Sequence, residues 1–222
     1  MSVAVIGSGF AGVFAAHALA ARGLSVEILD VGEELDEHRR AVVAKLRNLP
    51  PEVWPEDDHE LIRRNPTLGK RELPKKMHFG SDYIYASERS FAPLAVRAKG
   101  RTPYPTFAKG GFSNVWGAAM LPPDACDMAD WPVSRAEMEL HFGTVARLLP
   151  LCGGAGTLSL SFPAHTDRLG ALDPGPQGRA LLADLRRAEG ALLAVQTLYG
   201  EPRLAVHTKD EDGALSLSLI HI

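Results

Sequence analysis

The first thirty residues alternate between apolar runs and a glycine-rich break. The apolar run 3–6 predicts a β-strand, and apolar residues at helical spacing predict a helix from Phe10 to about Arg22. A second apolar run, residues 25–29, fits a buried parallel strand. The pattern therefore predicts a strand, a crossover helix and a parallel strand, the unit from which doubly wound α/β folds are built.

The next part of the chain is charged and then loses its periodicity. Residues 33–49 have a helical pattern with acids first and bases last, which complements a helix dipole, and Pro50 ends it. We expect residues 50–108 to form a loop-rich insertion, with short strand-like runs at 83–85 and 94–96.

Helical spacing returns in the second half. Ser134 and Glu137 have the spacing of a capping box, and apolar residues then recur to Leu149. A further helix is predicted over 177–189 and strands over 192–198 and 204–206. We expect residues 1–150 to form one domain, including the insertion, and residues 151–216 to begin a second.

The turn after the first predicted strand contains three glycines, each with a different physical role. Gly7 allows a sharp turn, Gly9 lets a ligand approach the backbone, and Gly12 lets the helix pack closely against the strands. The free N–H groups at the start of the helix favour a pyrophosphate. The spacing predicts a Rossmann-like dinucleotide site formed by Gly7, Ser8, Gly9, Phe10, Ala11 and Gly12.

An acidic residue at the end of the second predicted strand supports this interpretation. Asp30 follows Gly12 by 18 positions (30 − 12), close to the usual spacing of about 20. A carboxylate there accepts hydrogen bonds from the adenosine ribose and repels a 2′-phosphate. NADP is therefore disfavoured as the ligand.

A second glycine-rich loop lies far downstream. Gly110 and Gly111 allow backbone amides to face a ligand, Ser113 and Asn114 add side-chain donors, and Trp116, followed by Gly117, can cover a ring system. A pyrophosphate turn together with a second loop of this kind fits a long dinucleotide whose second ring is also held. FAD fits that description better than NAD.

With both loops considered, the chain resembles the glucose–methanol–choline family of flavin oxidoreductases, in the branch related to pyranose and cholesterol oxidases and sugar dehydrogenases. The resemblance lies in residues 7–12 with Asp30, residues 109–117, and residues 131–134 with the helix that follows. It implies an FAD-binding portion of an oxidoreductase that acts on CH–OH groups of an alcohol or sugar by hydride transfer to flavin N5. It also implies that Gly111, Ser113 and Asn114 lie near the pyrophosphate and the flavin.

Two features of the family are missing from this sequence. Some members bind flavin covalently through a histidine in the second loop, but no histidine occurs between His78 and His141, so we expect non-covalent FAD. The catalytic histidine of the family and its histidine or asparagine partner lie near the end of a much longer chain. No matching motif contains His165, His207 or His221, so the sequence identifies no catalytic residue.

Composition and net charge argue against some classes of binding partner. The 222 residues carry a net charge of −3, so we expect neither nucleic acid nor an anionic membrane surface as a partner. Cys126 and Cys152 have neither metal-site nor redox spacing. The sequence shows no signal peptide, and no apolar run reaches the ~20 residues of a membrane span. We predict a cytoplasmic protein that takes a small-molecule substrate, with its oligomeric state left open.

The C-terminal residues have an unusual pattern. Residues 208–213 are typical of a turn after a strand, and the apolar run that follows stops without a terminal cap. Residues 217–222 are similar to the translation of a common transposon-end sequencing adapter. We therefore expect an α/β fold that is incomplete at the C-terminus, with a non-native tail over 217–222.

Three functions fit the sequence. The leading prediction is the FAD-binding part of an alcohol- or sugar-oxidising flavoenzyme, in which the cofactor carries the hydride chemistry. A second is another FAD-dependent class, of the amine oxidase or ketosteroid dehydrogenase type. A third is a non-catalytic dinucleotide-binding module. The sequence does not distinguish an oxidase from a dehydrogenase, because that depends on the electron acceptor.

Overall fold

The computed structural model describes residues 2–63, 76–85, 105–154, 156–167 and 169–207, and the backbone of 218–219. The chain folds as two compact units, which divide between Trp116 and Gly117. The predicted strand 94–96 lies outside the described residues, as do most of residues 208–222.

The first unit begins with the predicted strand, helix and strand. They are β1 (Ser2–Ile6), α1 (Phe10–Ala20) and β2 (Ser25–Leu29). The two strands pair in parallel, in a register from Ser2 opposite Ser25 to Ile6 opposite Leu29. After the helix the chain turns at Gly23, whose φ of +78° is one that glycine adopts without strain. The α/β fold predicted from the sequence is thereby confirmed.

The strand β2 is less buried than its apolar composition predicts. Ile28 and Leu29 are about half-exposed, at 41% and 47%, and Ile6 at the end of β1 is 88% exposed. Within the described residues this sheet has two strands, so apolar side chains on its faces and edges lack the cover that a wider parallel sheet receives.

Two helices follow, α2 (Glu37–Leu46) and α3 (Glu56–Arg63). The helix predicted over 33–49 is shorter than expected because the Asp36 side chain caps it, accepting a 3.0 Å hydrogen bond from the Arg39 N–H. The predicted strand 83–85 is wrong. These residues form a turn in which the Tyr85 N–H donates to the Asp82 carbonyl, and this turn buries Ile84 completely.

The second unit combines helices with short strands. Its helices are α4 (Arg135–Leu148), α5 (Gly175–Arg187) and α6 (Glu189–Ala194). Its strands are β3 (Leu151–Cys152), β4 (Leu169–Gly170), β5 (Leu204–His207) and β6 (Ser218–Leu219). They form a sheet of order β4-β3-β5-β6, in which β3 and β4 are parallel and the other pairs are antiparallel.

One prediction for this unit is confirmed and another is wrong. The capping box is confirmed, because Ser134 Oγ accepts from the Glu137 N–H while the Glu137 carboxylate accepts from the Ser134 N–H. The strand predicted over 192–198 is wrong, because α6 ends there. Gln196 has a φ of +55°, and the Thr197 N–H donates to the Leu192 carbonyl, which closes the helix in a Schellman motif.

Candidate functional site

The turn between β1 and α1 requires glycine at two positions. Gly7 has a φ of +92°, and its N–H donates a 2.7 Å hydrogen bond to the Leu29 carbonyl, which joins the turn to β2. A Cβ on Gly12 would lie 2.0 Å from the Gly7 carbonyl oxygen, a distance that no side chain tolerates. The turn therefore has its shape because both residues lack side chains.

Gly9 differs from these two glycines. It has an ordinary extended conformation, with φ −69° and ψ 176°, and a Cβ there would meet only the Gly110 carbonyl oxygen, at 3.7 Å. The fold itself therefore does not need glycine at this position. Gly9 immediately precedes α1, whose first turn carries no acidic residue, so the helix N-terminus keeps its partial positive charge for an anion.

Asp30 lies beside the turn and bonds to its backbone. One carboxylate oxygen accepts the Ser8 N–H at 2.6 Å and the other accepts the Gly32 N–H at 2.7 Å. Desolvation opposes ionisation, but hydrogen bonds from Ser8 and Gly32, aided by the charge of Lys109, outweigh it and lower the pKa of Asp30. Because a carboxylate has about four lone-pair sites, Asp30 keeps the capacity to accept ribose hydroxyls.

The two glycine-rich motifs lie in contact. The Gly110 N–H donates a 2.8 Å hydrogen bond to Ser8 Oγ, a residue 102 positions earlier in the chain. A Cβ on Gly111 would lie 3.5 Å from the Gly9 Cα. Gly110 and Gly111 both have positive φ, +82° and +62°, which keeps the second loop close to the first turn. The structure thus brings the two predicted motifs into contact.

Backbone pairing and one ion pair hold the second loop in place. The Glu33 N–H donates to the Phe107 carbonyl and the Lys109 N–H donates to the Glu33 carbonyl, both at 2.9 Å. The Lys109 ammonium also lies 3.0 Å from the Glu34 carboxylate. These contacts attach the loop to the chain just after β2, close to Asp30.

The side chains of Ser113 and Asn114 bond within their own loop. They belong to a short 3-10 helix, Gly111–Asn114. Ser113 Oγ donates to the Gly110 carbonyl at 2.7 Å, and Asn114 Nδ2 donates to the Lys109 and Gly111 carbonyls. In this structure their donors shape the loop, so the amides and glycines provide the surface that a ligand would meet.

Aromatic side chains lie at the other end of the site. The rings of Phe10 and Trp116 have centroids 4.3 Å apart, and Phe14 lies 5.9 Å from Phe10 on the same helix. The Trp116 carbonyl accepts a 2.9 Å hydrogen bond from Lys76 Nζ. Of the other predicted residues, Ala11 is exposed in the first turn of α1 and Gly117 is the first residue of the second unit.

Three residues of the site were missed by sequence reasoning. Thr106 Cγ2 would lie 3.7 Å from a Cβ on Gly111, and Thr106 Oγ1 accepts from the Ala108 N–H. Lys109 and Lys76 hold the loop through the contacts above. Lys109 adjoins the glycine pair, which could have identified it, whereas neither Thr106 nor Lys76 lies in a recognisable motif.

Comparison with protein families agrees with this geometry. Residues 5–35 match the model of a family described as an NAD(P)-binding Rossmann-like domain, a segment that runs from within β1 past Asp30. No curated protein matches the chain. The chain therefore contains a Rossmann-like dinucleotide-binding domain, of the kind typical of oxidoreductases.

Membrane-spanning helices and metal-binding clusters are both absent from the ranges that the structure describes. No helix there is long and apolar enough to cross a bilayer. No group of three or more His, Cys, Asp or Glu side chains in those ranges could hold a metal ion.

Proposed function

We propose that the chain is the FAD-binding portion of a flavin-dependent oxidoreductase that acts on the CH–OH groups of an alcohol or sugar. The observation that carries the proposal is the hydrogen bond from the Gly110 N–H to Ser8 Oγ, because it joins two glycine-rich loops into one continuous backbone surface. A single turn suffices for one pyrophosphate, and a second loop beside it supports a ligand that extends further.

Each part of this surface has a role in the proposal. The amides at the start of α1 would bind the pyrophosphate, with Gly9 leaving room for it, since nothing but the Gly110 carbonyl lies within 4 Å of a Cβ there. Asp30 would accept the ribose hydroxyls. The loop of Gly110 and Gly111, with Trp116 against Phe10, would border the flavin end, with the cofactor held non-covalently.

The chemistry is divided between cofactor and protein. When bound, the flavin supplies a hydride acceptor at N5. The residues described here bind and orient it, and Asp30 stays ionised because hydrogen bonds from Ser8 and Gly32 lower its pKa despite partial desolvation. None of them is proposed to take the proton from the substrate hydroxyl.

Titration of the purified chain with FAD and with NAD tests the cofactor. We expect saturable FAD binding, read from quenching of flavin fluorescence, and weaker binding of NAD. Tighter binding of NAD would favour a different dinucleotide enzyme and contradict the FAD proposal. Failure to bind either would contradict the site itself.

Anaerobic addition of substrates to FAD-loaded protein made from the full reading frame tests the reaction, because the FAD-binding portion proposed here supplies no group that takes the substrate proton. Bleaching of the flavin's visible absorption by an alcohol or sugar would support the proposal. Bleaching only by an amine or a ketosteroid would indicate the second flavoprotein class. Bound FAD that no substrate reduces would support a non-catalytic dinucleotide-binding module.

A further inference from the structure

The second unit contains a cavity that none of the cofactor residues lines. It has a volume of about 300 Å³. Most of its wall is apolar and comes from α4 and the segments before and after it, including Met120, Leu121, Phe142, Val145 and Ala164. This volume is at the lower end of the range for small-molecule sites and suits a ligand built on one ring or a short aliphatic chain.

A buried arginine forms part of the cavity wall. Arg203, just before β5, is only 2% exposed. Its Nη1 donates a 2.6 Å hydrogen bond to the Pro163 carbonyl, but its Nη2 is buried and has no hydrogen-bond partner among the described residues. None of the ion pairs found within the described residues includes Arg203.

The buried guanidinium of Arg203 destabilises the protein unless an anion pairs with it. Burial lowers the pKa of Arg203, yet a guanidinium remains protonated in proteins, so the charge persists inside the unit. A buried charge with an unpaired N–H is strongly destabilising, and a carboxylate is the partner that guanidinium geometry fits best.

A second polar side chain without a full set of partners lines the same cavity. The side chain of His165 is 10% exposed, and its Nδ1 lies 3.2 Å from a Glu139 carboxylate oxygen. Its Nε2 is buried and meets no hydrogen-bond partner in the part of the chain that the structure describes. His165 has a φ of +58°, a backbone conformation that few non-glycine residues adopt. In this conformation its ring packs against Phe142.

The carboxylate of Glu139 does not compete for Arg203. It pairs with Arg135, whose Nε lies 2.9 Å from one of its oxygens, while the other oxygen faces His165. The unpaired charge on the cavity wall is therefore the positive one of Arg203.

We propose that this cavity binds a small monocarboxylate with an apolar body, the carboxylate pairing with Arg203 and the body lying among the side chains of α4. The proposal goes beyond the cofactor function, because no residue of the dinucleotide site takes part in it.

The test is a calorimetric titration of the full 222-residue chain with sodium benzoate and with benzyl alcohol, which has the same ring without the charge. We expect benzoate to bind at least about tenfold more tightly than benzyl alcohol, because only the anion completes Arg203. Equal binding of the two compounds, or no benzoate binding up to ~10 mM, would overturn the proposal.

Three variants localise the effect. Arg203→Met should remove the preference for benzoate, whereas Arg147→Met, which changes an exposed arginine on α4, should keep it. Ala164→Phe should fill the cavity and abolish binding of both compounds. A preference for benzoate that survived Arg203→Met would contradict the proposal. If Arg203→Met does not fold, the comparison of benzoate with benzyl alcohol on the unchanged chain still tests the proposal.

The outcome is independent of the flavin proposal. Gly9→Ala lies in the other unit and should leave benzoate binding unchanged. If the unsubstituted chain bound benzoate but not FAD, only the cofactor proposal would be contradicted, and if it bound FAD without a preference for benzoate, only this one would be.

Discussion

The two units build their candidate sites from different atoms. In the first unit the site consists mainly of backbone, since amides at the start of α1 and positive-φ glycines in two loops define its surface. In the second unit the cavity is lined by side chains and contains a buried arginine. The first kind of site is specified by where side chains are absent, and the second by which side chains are present.

This difference determines how each site responds to substitution. Replacing a glycine of the backbone site by alanine either disturbs the fold or fills space that the ligand would occupy. The outcome depends on which glycine is replaced. A cavity lined by side chains tolerates many changes of shape, but its chemistry depends on one charged group. Single substitutions in each unit can therefore test that contrast.

Gly12→Ala should disrupt the first unit. Its Cβ would lie 2.0 Å from the Gly7 carbonyl oxygen, so α1 would have to move away from the turn. We expect a loss of at least about 3 kcal/mol in the free energy of unfolding of this unit. Hydrogen exchange of the α1 amides measures the effect where it occurs.

Gly190→Ala is the matched control for that variant. Gly190 lies in α6 with nothing within 4 Å of a Cβ, so alanine there should be neutral or stabilise the helix by up to about 1 kcal/mol. If Gly12→Ala behaved like Gly190→Ala, the close packing described for the turn would be wrong.

Gly9→Ala should separate folding from binding. A Cβ there makes one ordinary contact, so the free energy of unfolding should change by less than about 1 kcal/mol. The methyl group would occupy the space proposed for the pyrophosphate, so we expect FAD affinity to fall by about tenfold or more. Fluorescence titration and denaturant unfolding on the same sample measure the two quantities. Unchanged FAD affinity would exclude Gly9 from the binding surface.

Asp30→Asn should weaken the turn in a pH-dependent way. The carboxylate accepts two backbone N–H groups, and losing its charge should cost about 1 kcal/mol or less, given that the side chain is exposed. Because the pKa of Asp30 is lowered from its usual 3.8, its contribution is complete well above pH 3.8 and is lost as the pH falls through the lowered value. The difference in unfolding free energy between the two proteins should therefore shrink in acid. A difference that stayed constant with pH would contradict the role given to the charge.

Ser134→Ala should affect the second unit alone. It removes the side-chain acceptor of the capping box at the start of α4, which should cost about 1 kcal/mol. FAD affinity should stay unchanged, because the cofactor residues proposed here lie almost entirely in the other unit. Thermal unfolding followed by circular dichroism measures the first effect, and a parallel change in FAD affinity would contradict the separation of the two sites.

The backbone site could be predicted from sequence to a large extent. Glycine spacing identified the turn, and Asp30 was identified from its position after the second apolar run, but its hydrogen bonds from the Ser8 and Gly32 amides were not predicted. The absence of a Cβ is a property of glycine itself, so the sequence states it directly, and it permits the positive φ that Gly7, Gly110 and Gly111 adopt. The contact between Gly110 and Ser8 could not be predicted from the sequence, since it depends on how the chain folds between two residues that are 102 positions apart.

The cavity site could not be predicted at all. Arg203 and His165 are separated in the chain by β4, α5 and α6, and neither lies in a motif. Their significance arises only from burial and from missing hydrogen-bond partners, which are properties of the packed structure. Strand predictions failed for the same reason at 192–198, where a short apolar run fits a helix and a strand equally well until its neighbours are known.

A map of backbone amide shifts in the ¹⁵N-labelled chain, recorded as FAD is added, tests whether the two glycine-rich loops bind one ligand. We expect the amides of residues 8–12 and of Gly110 and Gly111 to shift together, with one common dissociation constant. Saturable FAD binding that shifted other amides and left these unchanged would contradict it.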